Sequence, residues 1–525
     1  MKITTPAAIP DEAKLSSLSP GELLDCAKTL AQTVADLSQQ LDWFKRQMFG
    51  AKSERLRLLD SAQLSLGQVG EAQMPAPPRE QVVKEHRRRV SQPVEDAGAT
   101  ELFFDEQRVP VQVITLAAPG QSELSADRYE VVSEKVSYRL AQRPGSYVVL
   151  KYVRPVIKLR ESQQLCCAAA PVGVIEGSRA DVSFSAGLLV DKFLYHLPLY
   201  RQHQRLLDCG ITVSRPWLTQ VVQQSIGLLE PIYVAQLCSI RDSHLIAMDE
   251  TPIKAGRSGS GSMKTGYLWP VYGEQDEVCF PFFPSREASC VYEALGMKHR
   301  AGTVLLSDGY AAYAQYAKRV GLVHAQCWAH ARRELFDAQQ MDPQAAQAAL
   351  LQIQGIYQIE EDILAKGLKG ENKRLHRLTH SKPRVERLFE WIDQQFARQG
   401  LLPSNPFLKA LAYARDRREG LEVFLTDPEV PLDTNHVERA LRTVAVGRKN
   451  WMFCWTELGA EHTGIVQSLL STCRLHRIDP YTYLVDVLQR VGRHPAARVA
   501  ELTPRLWKLH FASQPLRSDL YSAAG

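Results

Sequence analysis

Three carboxylates stand where their surroundings could support chemistry. Asp249 follows the short apolar run Leu245-Ile246-Ala247-Met248, and Asp308 follows Thr303-Val304-Leu305-Leu306-Ser307. Runs of that length read as buried strands, and an acid at a strand end sits at the sheet edge, where α/β folds bind ligands. Two such acids on adjacent strands can share a divalent cation, because Mg2+ takes carboxylate oxygens and keeps several waters. The third acid is Glu438, within Asp433-Thr434-Asn435-His436-Val437-Glu438-Arg439-Ala440-Leu441-Arg442. Asp433, Thr434 or Asn435 can cap a helix there, and Glu438 falls in its first turn. Each acid also has a plainer reading. Asp after a strand is a favoured cap or turn residue, and Glu438 with Arg442 four residues on makes an ordinary surface ion pair.

The elements that must position these acids follow from the pattern around them. Residues 243–330 read as β-β-β-α-β-α-β-α: a strand at 245–248, a glycine-rich turn from Gly256 to Gly266, strands at 267–272 and 278–283, and a helix at 288–297. Strands at 303–307 and 322–325 and a helix from about Trp328 complete the run. Residues 335–430 read as wholly helical and basic, and 435–525 as further helices broken at Asp479-Pro480. Upstream, 101–160 alternates with the strand period, with Pro144-Gly145 as a turn, and 181–240 takes helical spacing, with Pro216 near the start of a second helix.

Residues 60–100 are rich in proline and polar residues and read as a linker, with a basic run at 84–89. Residues 19–59 read as one helix opened by Ser19-Pro20-Gly21-Glu22. Its apolar residues Leu23, Ala27, Leu30, Val34, Leu37, Leu41, Phe44 and Met48 step by four and three, the seam of a coiled coil. The helix ends in basic residues that include Lys45, Arg46, Lys52 and Arg55, suited to DNA phosphates or simply to water.

Composition bounds these readings. A length of 525 residues implies roughly three to five domains. The charge of +5 is the difference between 63 basic and 58 acidic residues, so it permits nucleic acid as a partner without demanding it. The apolar stretch from Gly187 to Tyr200 is interrupted by Asp191, Lys192, His196 and Pro198, which excludes a membrane span. The start of the chain lacks a signal-peptide core, so a cytoplasmic, nucleoid-associated bacterial protein with reduced thiols is expected.

Several words of the sequence occur together in a known order. They are Asp249-Glu250-Thr251-Pro252, Asp308-Gly309-Tyr310, Cys327-Trp328-Ala329-His330-Ala331-Arg332-Arg333, the Glu438 segment and Gly447-Arg448-Lys449-Asn450-Trp451. With Phe49-Gly50-Ala51-Lys52-Ser53-Glu54-Arg55-Leu56, His196-Leu197-Pro198-Leu199-Tyr200-Arg201-Gln202 and Ser471-Thr472-Cys473-Arg474-Leu475, the chain resembles the DDE transposases of the insertion-sequence sixty-six family. The resemblance implies an α/β fold with a ribonuclease H-like catalytic core and a helical insertion. Around it are an N-terminal coiled-coil helix, a small β-rich module and a helical C-terminal segment. It assigns Asp249, Asp308 and Glu438 as a metal-binding catalytic triad for two Mg2+ ions, with Mn2+ able to substitute. The expected reaction is cleavage at element ends followed by strand transfer into target DNA, through in-line attack with ions ~3.5–4 Å apart.

The expected domains are then 1–59 for the helix and DNA contact, 60–100 for the linker, 101–180 for the β-rich module and 181–240 for a helical segment. Residues 241–334 with 431–470 form the catalytic domain, 335–430 the insertion and 471–525 the C-terminal segment. Arg439, Arg442, Arg448 and Lys449 are suited to the DNA backbone, and Trp451 either to stacking on a displaced base or to the core. DNA and a second copy of the chain are the expected partners, while the need for accessory proteins encoded by the same element stays open. The family often carries a zinc module built on Cys-x-x-Cys pairs. Here no cysteine lies between Cys26 and Cys166, and Cys166-Cys167 are adjacent, so no zinc is expected. Cys327 and His330 are expected to pack or to orient the site. A nuclease of the same fold that cuts without joining, and an inactive DNA-binding protein, are the rival readings.

Overall fold

The computed structural model describes residues 102–521, except 120, 122–127, 144, 161, 259–261, 399–403 and 451–452. The N-terminal helix with Lys45, Arg46, Lys52 and Arg55, the linker, and Trp451 therefore lie outside the described residues.

The central sheet is built from short, largely apolar strands. β5 (Leu245–Met248), β8 (Val271–Gly273), β9 (Glu277–Cys279), β11 (Val304–Ser307) and β12 (Val323–Gln326) run in the order β12-β11-β5-β8-β9. β5, β11 and β12 are parallel, β8 adds antiparallel to β5, and β9 adds antiparallel to β8. Continuous apolar runs mark strands covered on both faces. Ala247, Val304 and Leu306 point into one core and Ile246, Met248 and Leu305 into another, as the two-residue period requires. On the second face pack α4 (Ala288–Leu295) and α5 (Ala311–Val320). On the first lie α6 (Trp328–Asp337) and the insertion helices α7 (Pro343–Ala365), α9 (Lys382–Phe396), α10 (Pro406–Arg415) and α11 (Arg418–Thr426), while α8 (Gly370–His376) has no buried residue.

Two expectations for residues 249–283 are corrected. The glycine-rich stretch from Gly256 to Gly266 is not a turn alone. It belongs to a hairpin of β6 (Thr251–Ser258) and β7 (Ser262–Leu268), with a register shift after Lys254 beside Gly256 at φ +73°. Glycine takes that left-handed conformation without steric cost, so the bulge fits inside a strand. The stretches 267–272 and 278–283 are not two strands but four short ones. β7 and β10 (Phe282–Phe283) lie in the hairpin sheet, ordered β10-β7-β6-β13, whereas β8 and β9 lie in the central sheet. Pro270 and Pro281 fall at the crossings, where a residue with no N–H to give a ladder ends one pairing and starts another. β13 (Phe453–Cys454) also interrupts the stretch expected to be helical.

The remaining described elements share a third core. β1 (Val111–Thr115), β2 (Tyr129–Arg143), β3 (Ser146–Leu159) and β4 (Leu165–Cys167) form one sheet around β3. It packs with α1 (Val182–Phe193), α2 (Leu199–Asp208), α3 (Arg215–Arg241), α13 (Glu457–Leu475), α14 (Pro480–Arg490) and α15 (Pro504–His510). Pro216 opens the third of the helices after 181, not the second. No helix among the described residues is long and apolar enough to cross a membrane.

Candidate active site

Strand register sets two of the acids side by side. Leu245, Ile246 and Ala247 of β5 face Val304, Leu305 and Leu306 of β11 in parallel register, so Asp249 and Asp308 leave the sheet at the same level. Each acid then folds its own turn. Asp249 Oδ1 accepts the Glu250 N–H at 2.8 Å, and Asp308 Oδ1 accepts the Tyr310 N–H at 2.9 Å. Gly309 is required after Asp308, since a Cβ there would lie 2.6 Å from the Tyr413 ring and 2.7 Å from Arg417 Nε. Arg417 donates to the Gly309 carbonyl at 3.0 Å and stacks on Tyr413, so the insertion presses on this turn.

Glu250 joins them, and sequence reasoning missed it. One ligand atom each of Asp249, Glu250 and Asp308 lies within 4.8 Å of the others, the only such grouping of histidine, cysteine and acidic residues among the described residues. The Glu250 carboxylate is buried and accepts from the Tyr313 hydroxyl and the Arg286 guanidinium. The signal that could have found it is the acidic doublet Asp249-Glu250 at a strand end; nothing in the sequence pointed to Arg286.

The electrostatics distinguish these acids. Burial, with Glu250 and Asp308 nearby, pushes the Asp249 carboxyl up to about 7. Glu250 is also raised, burial outweighing the lowering by Tyr313 and Arg286. Three acids crowd into one half-buried place where the Arg286 guanidinium pairs with Glu250, and the oxygens of Asp249 and Asp308 are a donor set that suits a hard divalent cation.

Glu438 arrives from another direction. α12 (Asn435–Asn450) carries it in the first turn. Asp433 starts the helix by accepting the Asn435 N–H at 3.1 Å, and the Tyr357 hydroxyl holds Asp433 at 2.9 Å. The buried Cys327 sulfur accepts the Thr434 N–H and hydroxyl, each at 3.3 Å. Cys327 thus packs and orients the helix start. Glu438 lies 3.8 Å from Arg333, not paired with Arg442. Asp249, Glu250 and Glu438 line one open cleft of about 680 Å³ with His330, Arg333, Arg439, Arg442 and Arg448. Lys449 is exposed on the same helix but outside the lining. Cys166 and Cys167 are free thiols in β4, remote in sequence from any second pair.

Strand-end acids facing an arginine-lined cleft belong to a nucleic-acid-processing enzyme of mixed α/β architecture. The family comparison makes this specific. Residues 177–462 match the family described as Transposase IS66 family, residues 468–505 match the IS66 C-terminal element, and residues 36–101 match the Transposase C of IS166 homeodomain. The chain belongs to the IS66 transposase family, and its function is that of an insertion-sequence transposase acting on DNA. Similar chains are the uncharacterized proteins y4hP and y4jD of Sinorhizobium fredii. The first is 29% identical over 90% of this chain and 89% of its own length, the second 28% over 94% and 98%.

Proposed function

We propose that this transposase cuts and joins DNA by DDE chemistry on a ribonuclease H-like core, with Asp249, Asp308 and Glu438 as the catalytic, metal-holding acids. The observation that carries the reading is the strand order β9-β8-β5-β11-β12, with Asp249 and Asp308 at the adjacent ends of β5 and β11 and Glu438 on a helix that lines the same cleft as Asp249. Residues 241–334 with 431–470 act as the catalytic domain, and 335–430 as its insertion. Bound Mg2+ or Mn2+ supplies activation of the attacking water or 3′-hydroxyl and stabilisation of the leaving oxygen. Asp249 and Asp308 would hold that charge from the sheet and Glu438 from α12, where it lies 3.8 Å from Arg333. Glu250 is not a primary ligand here, because Tyr313 and Arg286 already engage its oxygens.

Arg439, Arg442 and Arg448 take DNA phosphates along the cleft, and Lys449 extends them. Two DNA ends must be held together, so the acting form is at least a dimer. The test is an assay with purified full-length protein, Mg2+ and DNA carrying the element's ends. The wild type should give nicked and joined products, and Asp249→Ala, Asp308→Ala and Glu438→Ala should bind the ends without cutting. Wild-type strand transfer by any of the three would overturn the assignment.

A further inference from the structure

Phe453 and Trp455 are large aromatics left 46% and 61% accessible, with ring centroids 5.7 Å apart and planes at 83°. Their place in the fold ties them to the cleft. β13 pairs parallel to β6, Phe453 with Lys254 and Cys454 with Ala255. Residues in register on paired strands share a face. Cys454 and Ala255 are buried, so Phe453 and Lys254 stand together on the open face. Arg448, which lines the cleft beside Asp249, donates to the Pro252 carbonyl at 2.6 Å. From Thr251 in the cleft wall to Lys254 is three residues of strand, about 10 Å. A strip therefore runs from the acids past Arg448 and Lys254 to the two rings. Lys254 reaches the Thr265 hydroxyl at 2.7 Å, and Glu457 beyond the rings faces Lys264 at 3.6 Å.

Cations that follow a phosphate chain, interleaved with ring faces, are the surface that unpaired nucleic acid needs. A duplex keeps its base faces inside and has nothing to offer these rings. We propose that Phe453 and Trp455 form a stacking platform for unpaired nucleotides next to the phosphate held in the cleft. This deepens, and rests on, the reading of the cleft as the DNA-cleaving site.

The experiment uses the full chain without metal and three oligonucleotides of one sequence: a single strand, a duplex and a fork, with 2-aminopurine in the unpaired part. Stacking quenches that base. The wild type should quench it in the single strand and the fork. Phe453→Ala with Trp455→Ala should abolish the quench and weaken single-strand binding at least about fivefold per ring. Duplex affinity, which phosphate contacts dominate, should stay within about twofold. Trp455→Phe should keep most of the quench, and thermal melting should be unchanged because both rings are exposed. The platform is overturned if the wild type fails to quench, if the double variant quenches as the wild type does, or if it loses duplex affinity equally. A parallel Mg2+ cleavage assay separates the two readings. A wild type that quenches but never cuts sinks the catalytic reading, and one that cuts with an indifferent ring pair sinks only the platform.

Discussion

Asp249 and Asp308 are placed by a different route from Glu438. The first two are set by register: β5 and β11 are paired strands buried on both faces, and each acid is the next residue along. Glu438 is set by tertiary contacts that run through the insertion. Arg377 is fully buried and forks onto Glu360 at 2.8 and 2.7 Å. Its remaining nitrogen donates to the carbonyls of Phe424, Asp427 and Val430 at 2.7, 3.1 and 3.0 Å. Those carbonyls lie in the segment that leads into Asp433 and α12. Asp427 also pairs with His244, the residue before β5, at 2.8 Å. The sheet acids thus depend on a few neighbouring residues, and the helix acid on the whole insertion. Damage at Arg377 should therefore move Glu438 more than Asp249 and Asp308, whose own contacts with the insertion run through Asp427 at His244 and Arg417 at Gly309.

The largest effect expected is on the sheet pair. Asp249→Asn or Asp308→Asn should lower cleavage at least about a thousandfold if, as proposed, each contributes charge that would hold the metal. Calorimetric titration with Mg2+ should show weakened binding in both. Next comes Arg377→Ala, which leaves the part-buried Glu360 without this partner and several carbonyls without a donor. A broken buried pair destabilises by about 3–5 kcal/mol, visible as a lowered melting temperature. Arg377→Lys should recover only part, since an ammonium cannot reproduce the two-pronged contact. At a temperature where Arg377→Lys is folded, it should still bind Mg2+ and yet cleave poorly. Loss of Mg2+ binding to the same degree as cleavage would break the distinction between the two routes.

The same division explains what was legible in the sequence. Asp249 and Asp308 could be read because a strand and the residue after it are local features, and the apolar runs 245–248 and 304–307 have a single period-two reading. The helical nature of the insertion was legible, but not its work. Nothing local shows that Arg377, one of many basic residues there, is buried, or that Cys327 receives Thr434 from over a hundred residues away. The hairpin at 251–268 was misread because its glycines signal turns as strongly as they signal a bulge. The plainer reading of Glu438, an ion pair with Arg442, followed helix spacing correctly, yet Arg333 from α6 comes nearer. Tertiary approach overrode a local rule worth only a few tenths of a kcal/mol.

A smaller effect separates the acids by pH. The Asp249 carboxyl is raised to about 7 by burial, against about 3.9 in an unfolded chain. Between those values the folded, metal-free protein binds the extra proton, so stability falls as pH rises through the window. Asp249→Asn should therefore stabilise the metal-free protein at pH 8 by about 2 kcal/mol, partial exposure being allowed for, and by almost nothing near pH 4. Denaturation at the two pH values, with chelator present, measures this. A gain that is equal at both would show that packing, not charge, is responsible.

The smallest expected effect tests how finely Glu438 is held. Tyr357→Phe removes one hydroxyl from Asp433 and leaves that carboxylate with the Asn435 backbone and side chain, at 3.1 and 2.6 Å. Losing one hydrogen bond to a charged group costs about 1.5 kcal/mol or less when other donors remain. Stability should fall by that amount and cleavage by a few-fold, with Mg2+ affinity at the sheet pair unchanged. Cleavage falling as far as in the Asp249 variants would mean that the cap at Asp433, rather than the insertion as a whole, sets the position of Glu438.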